Sequence, residues 1–371
     1  MKILIATGIY PPEIGGPASF VRSFAREMVR EGHEISVVTY GDEKTEQGDG
    51  WRVIPVTRNG GAVARYVRYA LAVRRAAMSA DLVFLQGPVS EGFPGTIGAM
   101  LAGKKTVMKV VGDYAWEMSQ QRSTMNNELL DQFITHRHGG STWLLEMIER
   151  WTARRAAAVI VPSRYLKHIV EQWGVHAKKI ETIYNSVPPL PETPSRDELR
   201  RKFGVEEKKV ILTAVRAVPW KGVDFLLDVL RDLPPSHLLV CASDGPMLET
   251  WKKKAADAGL SDRVRFLGRI DRTELAAWYR AADVFALATG YEGFPHVVIE
   301  AVSVGLPCIV SDKGGNPETA ELHPGYVTVC AYRDRNAWTN ALKDIPSRHA
   351  PASIARFEDT ATAYRNILAR V

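Results

Sequence analysis

The segment Glu292-Gly293-Phe294-Pro295-His296-Val297-Val298-Ile299-Glu300 holds two carboxylates with seven residues between them. Glu292 falls on a loop, and Glu300 falls inside an apolar run of helical spacing. A helix starting near Pro295 turns the free backbone N–H groups of about residues 294 to 297 toward whatever lies beyond its end, and such an N-terminus favours an anion. A diphosphate suits it. Upstream, Arg216 and Lys221 stand in Arg216-Ala217-Val218-Pro219-Trp220-Lys221-Gly222, after a buried-strand pattern and before a helix. That placement sets both cations at the carboxyl edge of a sheet, near the same anion. Taken alone the pair says little, because surface Arg and Lys side chains are mostly just solvated.

These side chains need a scaffold of strands and helices. Residues 2–6 read as a short buried strand, followed by the loop Tyr10-Pro11-Pro12-Glu13-Ile14-Gly15-Gly16-Pro17 and by Phe20, Val21, Phe24, Met28 and Val29 at helical spacing. The strand pattern recurs at 34–39, 81–85, 105–111 and 157–161, each after a helical stretch. Such alternation predicts a parallel sheet covered on both faces. Pro188, Pro189, Pro191 and Pro194 then form a link that continues neither a helix nor a central strand. A second series follows at 210–214, 238–242, 264–267, 284–288 and 307–311.

At 371 residues and 46% hydrophobic, the chain exceeds what a single core usually fills. We expect two Rossmann-like doubly wound α/β domains, 1–188 and 189–353, facing each other across a cleft, with ligand at the strand ends. Residues 354–371 carry Phe357, Ala361, Tyr364 and Leu368 at near-helical spacing. Periodicity does not say where this amphipathic helix packs; we expect it back on the N-terminal domain.

In order, and over nearly the whole chain, these features resemble the retaining GT-B glycosyltransferases of family 4, the glycosyl transferases group 1. The Gly15-Gly16 loop resembles the family's first strand-helix loop, and Val161-Pro162-Ser163 and Asn185-Ser186-Val187 resemble its hinge-proximal motifs. Arg216 to Gly222 matches the Arg…Lys-Gly element, Asp244-Gly245-Pro246 the glycine-proline turn, and Glu292 to Glu300 the paired-glutamate signature. Each member is common alone; the ordered set is specific.

The resemblance implies a GT-B fold and a retaining enzyme that moves a hexose from a UDP- or GDP-linked sugar to an acceptor hydroxyl. It implies that Arg216 and Lys221 grip the diphosphate, that Glu300 accepts hydrogen bonds from the ribose hydroxyls, and that Glu292 faces the transferred sugar. Gly268-Arg269-Ile270 would meet the nucleobase largely through backbone groups, and Gly15-Gly16 would approach the donor phosphate where a side chain would collide. Gly245, Gly293, Phe294, Pro295, His296 and Val297 complete the implied donor site. Bond breaking toward an oxocarbenium-like state sends negative charge onto the diphosphate, which fixed cations and helix N–H groups stabilise. The acceptor hydroxyl then approaches on the leaving group's face, and a donor phosphate oxygen takes its proton. Glu292 as a covalent nucleophile is the rival route.

One departure concerns a position after the fourth strand of the N-terminal domain. Where the family commonly has a histidine, this chain has Gly112-Asp113-Tyr114. Asp113 joins the catalytic set if it binds a sugar hydroxyl, and is a turn residue if it merely ends the strand. No Asp-x-Asp occurs in the chain, so the usual carboxylate pair for a diphosphate-bridging metal is missing. We expect metal-independent transfer and no cofactor beyond the nucleotide sugar.

Other classes fit less well. The first loop lacks G-x-G-x-x-G, which argues against a dinucleotide-dependent oxidoreductase. A GT-B-like nucleotide-sugar epimerase would share the fold and donor without an acceptor; release of free nucleoside diphosphate in proportion to acceptor separates the two. Cys241, Cys308 and Cys330 lie far apart without a CxxC or His-rich neighbourhood, and read as reduced core residues. They fit a cytoplasmic protein, as does an N-terminus unlike a signal peptide.

The basic excess lies in the first half: residues 1–188 carry 23 Lys/Arg against 18 Asp/Glu. Arg65, Arg68, Arg74 and Arg75 alternate with Tyr66, Val67, Tyr69, Leu71 and Val73, and Arg150, Trp151, Arg154 and Arg155 repeat the texture. Such helices sit on anionic headgroups at the inner face of a membrane or present a solvated face, and both readings stand. No nucleic-acid module accompanies them. The connection at 116–141 is longer than usual and polar, and His136 and His138 within it have no third ligand nearby to suggest a metal. With the basic charge, it points to a lipid-linked or cell-surface saccharide precursor as acceptor.

Overall fold

A computed structural model describes every residue except 14, 43 and 123–127. Ile14 of the first loop and residues 123–127 of the long connection therefore lie outside the described residues. The chain forms two compact units: Met1–Ser119, Leu130–Tyr184 and Phe357–Val371 make the first, Gln120–Leu129 and Asn185–Arg356 the second.

The first unit is a seven-stranded parallel sheet of β1 (Lys2–Thr7), β2 (Glu34–Tyr40), β3 (Arg52–Val56), β4 (Leu82–Leu85), β5 (Lys105–Lys109), β6 (Ala158–Val161) and β7 (Ile180–Thr182). Their spatial order is β3-β2-β1-β4-β5-β6-β7. Winding reverses between β1 and β4, a switch point at which such sheets open a crevice at their carboxyl edge. β1 and β4 are fully buried over Ile3–Ala6 and Leu82–Leu85, as expected of strands covered on both faces.

The second unit repeats the plan with six strands: β8 (Lys209–Arg216), β9 (His237–Asp244), β10 (Val264–Gly268), β11 (Val284–Leu287), β12 (Cys308–Ser311) and β13 (Val327–Cys330). The order is β10-β9-β8-β11-β12-β13, so the switch point lies between β8 and β11. One face packs on Trp251, Trp338, Phe225 and Leu226, the other on Trp278, Tyr279, Val298 and Val302. Arg200, buried on the helix Arg196–Phe203, donates to the carbonyls of Ala281, Val205, Glu206 and Lys208 and to Asp283. That network pins the first helix of the unit to the strand β8 and the turn before β11. All three cysteines are free and buried, and burial pushes the Cys241 thiol up to about 12.

The C-terminal helix Phe357–Leu368 belongs to the first unit, where it lies on the helix Gly16–Arg30. Tyr364 meets the rings of Phe20, Phe24 and Phe84 at 5.2, 5.9 and 5.9 Å. Beneath this seam the ammonium of Lys109 sits 3.3 Å from the Phe20 ring centre, and burial lowers its pKa from 10.5 to about 7. The folded state thus holds Lys109 less protonated than the unfolded chain does. Between those two values unfolding takes up a proton, so stability is expected to rise with pH across that window. Lys109→Met should flatten the rise and raise the melting temperature near neutral pH; thermal unfolding at about pH 7 and about pH 9 checks both.

Candidate functional site

The residues singled out in the second half of the sequence gather at the carboxyl edge of the second sheet. Arg216 ends β8 and is exposed, and β8 pairs with β9 along its full length, which sets Arg216 beside Asp244. Gly245 follows directly. Lys221 closes the short 3-10 turn Pro219–Lys221. Gly222 comes next at φ 69°, where a Cβ would stand 2.0 Å from the carbonyl oxygen of Ala288. Only glycine lets this turn press against the end of β11, and the Gly290 amide then donates to the Trp220 carbonyl at 2.7 Å. The two loops flanking the switch point are thereby stitched together.

Glu292 lies on the loop after β11. Its carboxylate Oε1 is 2.6 Å from the Lys221 ammonium, and both side chains are largely buried, at 18% and 15% exposure. Gly314, at φ 61°, holds the Glu292 backbone from the other side: a Cβ there would come within 2.3 Å of the Glu292 carbonyl. The Gly315 amide donates to that carbonyl at 2.7 Å. Below them Asn316 is fully buried and donates to the hydroxyls of Thr289 and Ser311, joining the ends of β11 and β12.

Gly293, Phe294 and Pro295 are buried and lead into the helix His296–Ser303, with Pro295 at its N-cap. Proline offers no side-chain acceptor, so no side chain of the N-cap residue takes a hydrogen bond from the amides that open this helix. His296 is exposed and Val297 half-buried. Asn185 donates to the Phe294 carbonyl at 3.4 Å. One turn further along, Glu300 accepts from the Tyr279 hydroxyl at 3.2 Å and lies 3.8 Å from Arg272 Nε. Burial raises its pKa, opposed by Arg272 and by the Tyr279 hydrogen bond. Arg272 starts the helix that follows Gly268-Arg269-Ile270. Arg269 is exposed, whereas Ile270 packs into the same apolar cluster as Val297, so the loop after β10 and the helix carrying Glu300 adjoin.

Gly15, Gly16 and Asp113 belong to the first unit. Gly15 is the N-cap of the helix Gly16–Arg30, and the space where a Gly16 Cβ would stand is open. Asp113 is 2% exposed, and its carboxylate accepts from the Trp116 amide at 2.8 Å. It caps the helix Tyr114–Arg122 together with Glu149, which accepts from the amides of Tyr114 and Ala115 at 2.6 and 3.3 Å. Burial raises the pKa of both carboxyls, Asp113 to about 6. Nothing in the local sequence pattern marks Glu149, which acts on a helix more than thirty residues away, nor Tyr279, Arg272 or Asn316. No cluster of metal-ligating side chains occurs among the described residues.

Two doubly wound parallel sheets, the second with cations, carboxylates and a helix N-terminus around its switch point, define a GT-B glycosyltransferase. The family model "Glycosyl transferases group 1" matches residues 195–348, and "Glycosyl transferase 4-like domain" matches residues 15–186. The chain belongs to the GT-B glycosyltransferases of family 4. It is 27% identical, over 95% of its length and 92% of the relative's, to a GDP-mannose-dependent alpha-(1-6)-phosphatidylinositol monomannoside mannosyltransferase of Mycolicibacterium smegmatis. It is 24% identical, over 85% of its length and 72% of the relative's, to the alpha-monoglucosyldiacylglycerol synthase of Streptococcus pneumoniae. Its fold is similar to that of HepE from Anabaena in complex with UDP and glucose, with a TM-score of 0.73 at 22% identity, over 100% of this chain and 94% of that one.

Proposed function

We propose that this glycosyltransferase moves a hexose from a nucleoside diphosphate sugar to a hydroxyl of a lipid-linked acceptor, with retention of configuration and without a metal ion. The observation that carries the donor side is the convergence at one switch point of Arg216, Lys221, Glu292, Glu300 and the N-terminus of the helix His296–Ser303. Arg216, Lys221 and the helix amides bind the diphosphate and take up the charge that develops on it as the glycosidic bond breaks. Glu300 receives the ribose hydroxyls, steadied by Tyr279 and Arg272. Arg269 and Ile270 flank the base, Gly245 lets the loop after β9 lie against the backbone of Ala217 beside the diphosphate, and Glu292 orients the sugar. In the first unit, Gly15 and Gly16 leave room for a phosphate. Asp113 acts there as a positioning residue, through the helix that it caps.

Support for the lipid acceptor comes from two relatives whose names specify glycolipids, phosphatidylinositol monomannoside in one and monoglucosyldiacylglycerol in the other. No helix of the described residues is long and apolar enough to cross a membrane. In this reading the enzyme works at the surface of the bilayer, on its cytoplasmic side, where a lipid-linked acceptor is reached. The relatives are transferases, and nothing in the site favours an epimerase over them.

Calorimetry with UDP and with GDP, each without metal and then with Mg²⁺, tests the donor site and identifies the base. One nucleotide is expected to bind with equal affinity in both buffers. Binding that needs Mg²⁺ overturns the metal-independent reading, and binding of neither nucleotide overturns the donor site itself.

A further inference from the structure

The structure of the first unit points to a specific surface on which this enzyme meets its membrane, and we infer that three neighbouring helices dock apolar side chains into an anionic bilayer. The helices are Gly61–Ala77, Gly92–Leu101 and Gly140–Arg155. They lie side by side, the first against the second and the second against the third, joined through Phe93, whose ring meets Tyr66 at 6.2 Å and Trp151 at 5.6 Å.

Twelve large hydrophobic side chains are exposed among the described residues, and nine of them belong to this layer. Val63, Val67 and Leu71 recur every fourth position on the first helix, with Met78 at its end. Those spacings place them in one outward stripe. Met100 and Leu101 end the second helix, and Trp143, Leu144 and Met147 cover the outer face of the third at 53%, 53% and 45% exposure. A water-facing helix normally reverses this pattern. So many exposed apolar side chains on one face mark an interaction surface.

Charge selects the occupant. The first helix carries Arg65, Arg68, Arg74 and Arg75 and no acidic residue, and the second carries no charge at all. On the third, Glu146 and Glu149 are buried, whereas Arg154 and Arg155 are exposed. Every exposed charge on the layer is therefore positive. A second copy of the same face would be repelled, and a nucleic acid would gain nothing from Val, Leu, Met and Trp tips. An anionic bilayer answers both features at once: headgroups pair with the guanidinium groups, and the apolar tips enter the boundary beneath, with Trp143 at the level where indole rings settle.

This surface rests on the lipid-acceptor reading only in naming the membrane as the place of work. The test uses the full chain and sedimentation with vesicles of phosphatidylcholine alone and of phosphatidylcholine mixed with phosphatidylglycerol. Binding is expected to the mixed vesicles and to weaken with salt. It should fall about tenfold or more in a Trp143→Ser/Leu144→Ser/Met147→Ser variant and in an Arg74→Glu/Arg75→Glu variant. Both variants should melt and bind nucleotide as the wild type does. The inference is overturned if the wild type binds neither vesicle, if it binds both equally, or if folded variants sediment like the wild type. Vesicle binding without nucleotide binding, in contrast, removes the donor-site reading and leaves this surface standing.

Discussion

Arg216→Ala/Lys221→Ala is expected to weaken nucleoside diphosphate binding and to lower kcat/KM, each by about two to four orders of magnitude. A hydrogen bond to a charged group contributes roughly 1.5–3 kcal/mol, so two cations on one diphosphate contribute about 3–6 kcal/mol together. That corresponds to a loss of affinity between roughly a hundredfold and ten-thousandfold. The two single variants separate binding from folding. Arg216 is exposed at the end of its strand, so Arg216→Ala should leave the melting temperature unchanged while weakening the nucleotide. Lys221 neutralises a largely buried Glu292, so Lys221→Ala should also cost some stability by leaving that carboxylate without its cation. Calorimetry and thermal unfolding on the same samples decide the matter; unchanged nucleotide affinity in the double variant would remove both residues from the site.

Glu292→Gln should move two measurements in opposite directions. In the structure the Lys221 ammonium lies 2.6 Å from the Glu292 carboxylate, so a diphosphate has to compete with Glu292 for that cation. Glutamine keeps the shape of the side chain and removes the competing charge, and the affinity for the nucleoside diphosphate alone is expected to rise several-fold. Transfer is expected to fall by about a hundredfold, because the charge-assisted contact to the sugar that we propose for Glu292 would be lost where it matters most, in the transition state. A merely structural Glu292 would lower both together. A fall in transfer beyond about ten-thousandfold, with the loop intact, would instead favour Glu292 as a covalent nucleophile.

The central strands of both sheets were legible in the sequence because burial on both faces writes them as continuous apolar runs. The strands that were not legible, β3, β7 and β13, all lie at sheet edges. β3 reads Arg-Val-Ile-Pro-Val and contains Pro55, which an edge tolerates and a central strand does not. β7 has only three residues, and β13 exposes its two middle positions. The cluster at the carboxyl edge of the second sheet was legible for a different reason: Arg216, Lys221, Glu292 and Glu300 follow or neighbour central strands, so their place there comes with the strand assignment. Glu149 and Tyr279 were not, because each acts on a distant segment through a side chain whose direction no local pattern reveals. Asp113 shows the same limit. A Gly-Asp at a strand end reads equally as ligand or turn, and only its bond to the Trp116 amide shows that the carboxylate serves a helix end.

The return of the helix Phe357–Leu368 to the first unit sets an order on synthesis at the ribosome. The second unit is nearly continuous in sequence and has its whole core by Arg356, whereas the aromatic patch of Phe20, Phe24 and Phe84 waits uncovered until Tyr364 emerges. The half made first is thus the half finished last. For the seconds that elongation takes, a nascent chain carries a sticky, incomplete N-terminal half tethered to a completed partner, and that interval is when chaperones have most to protect.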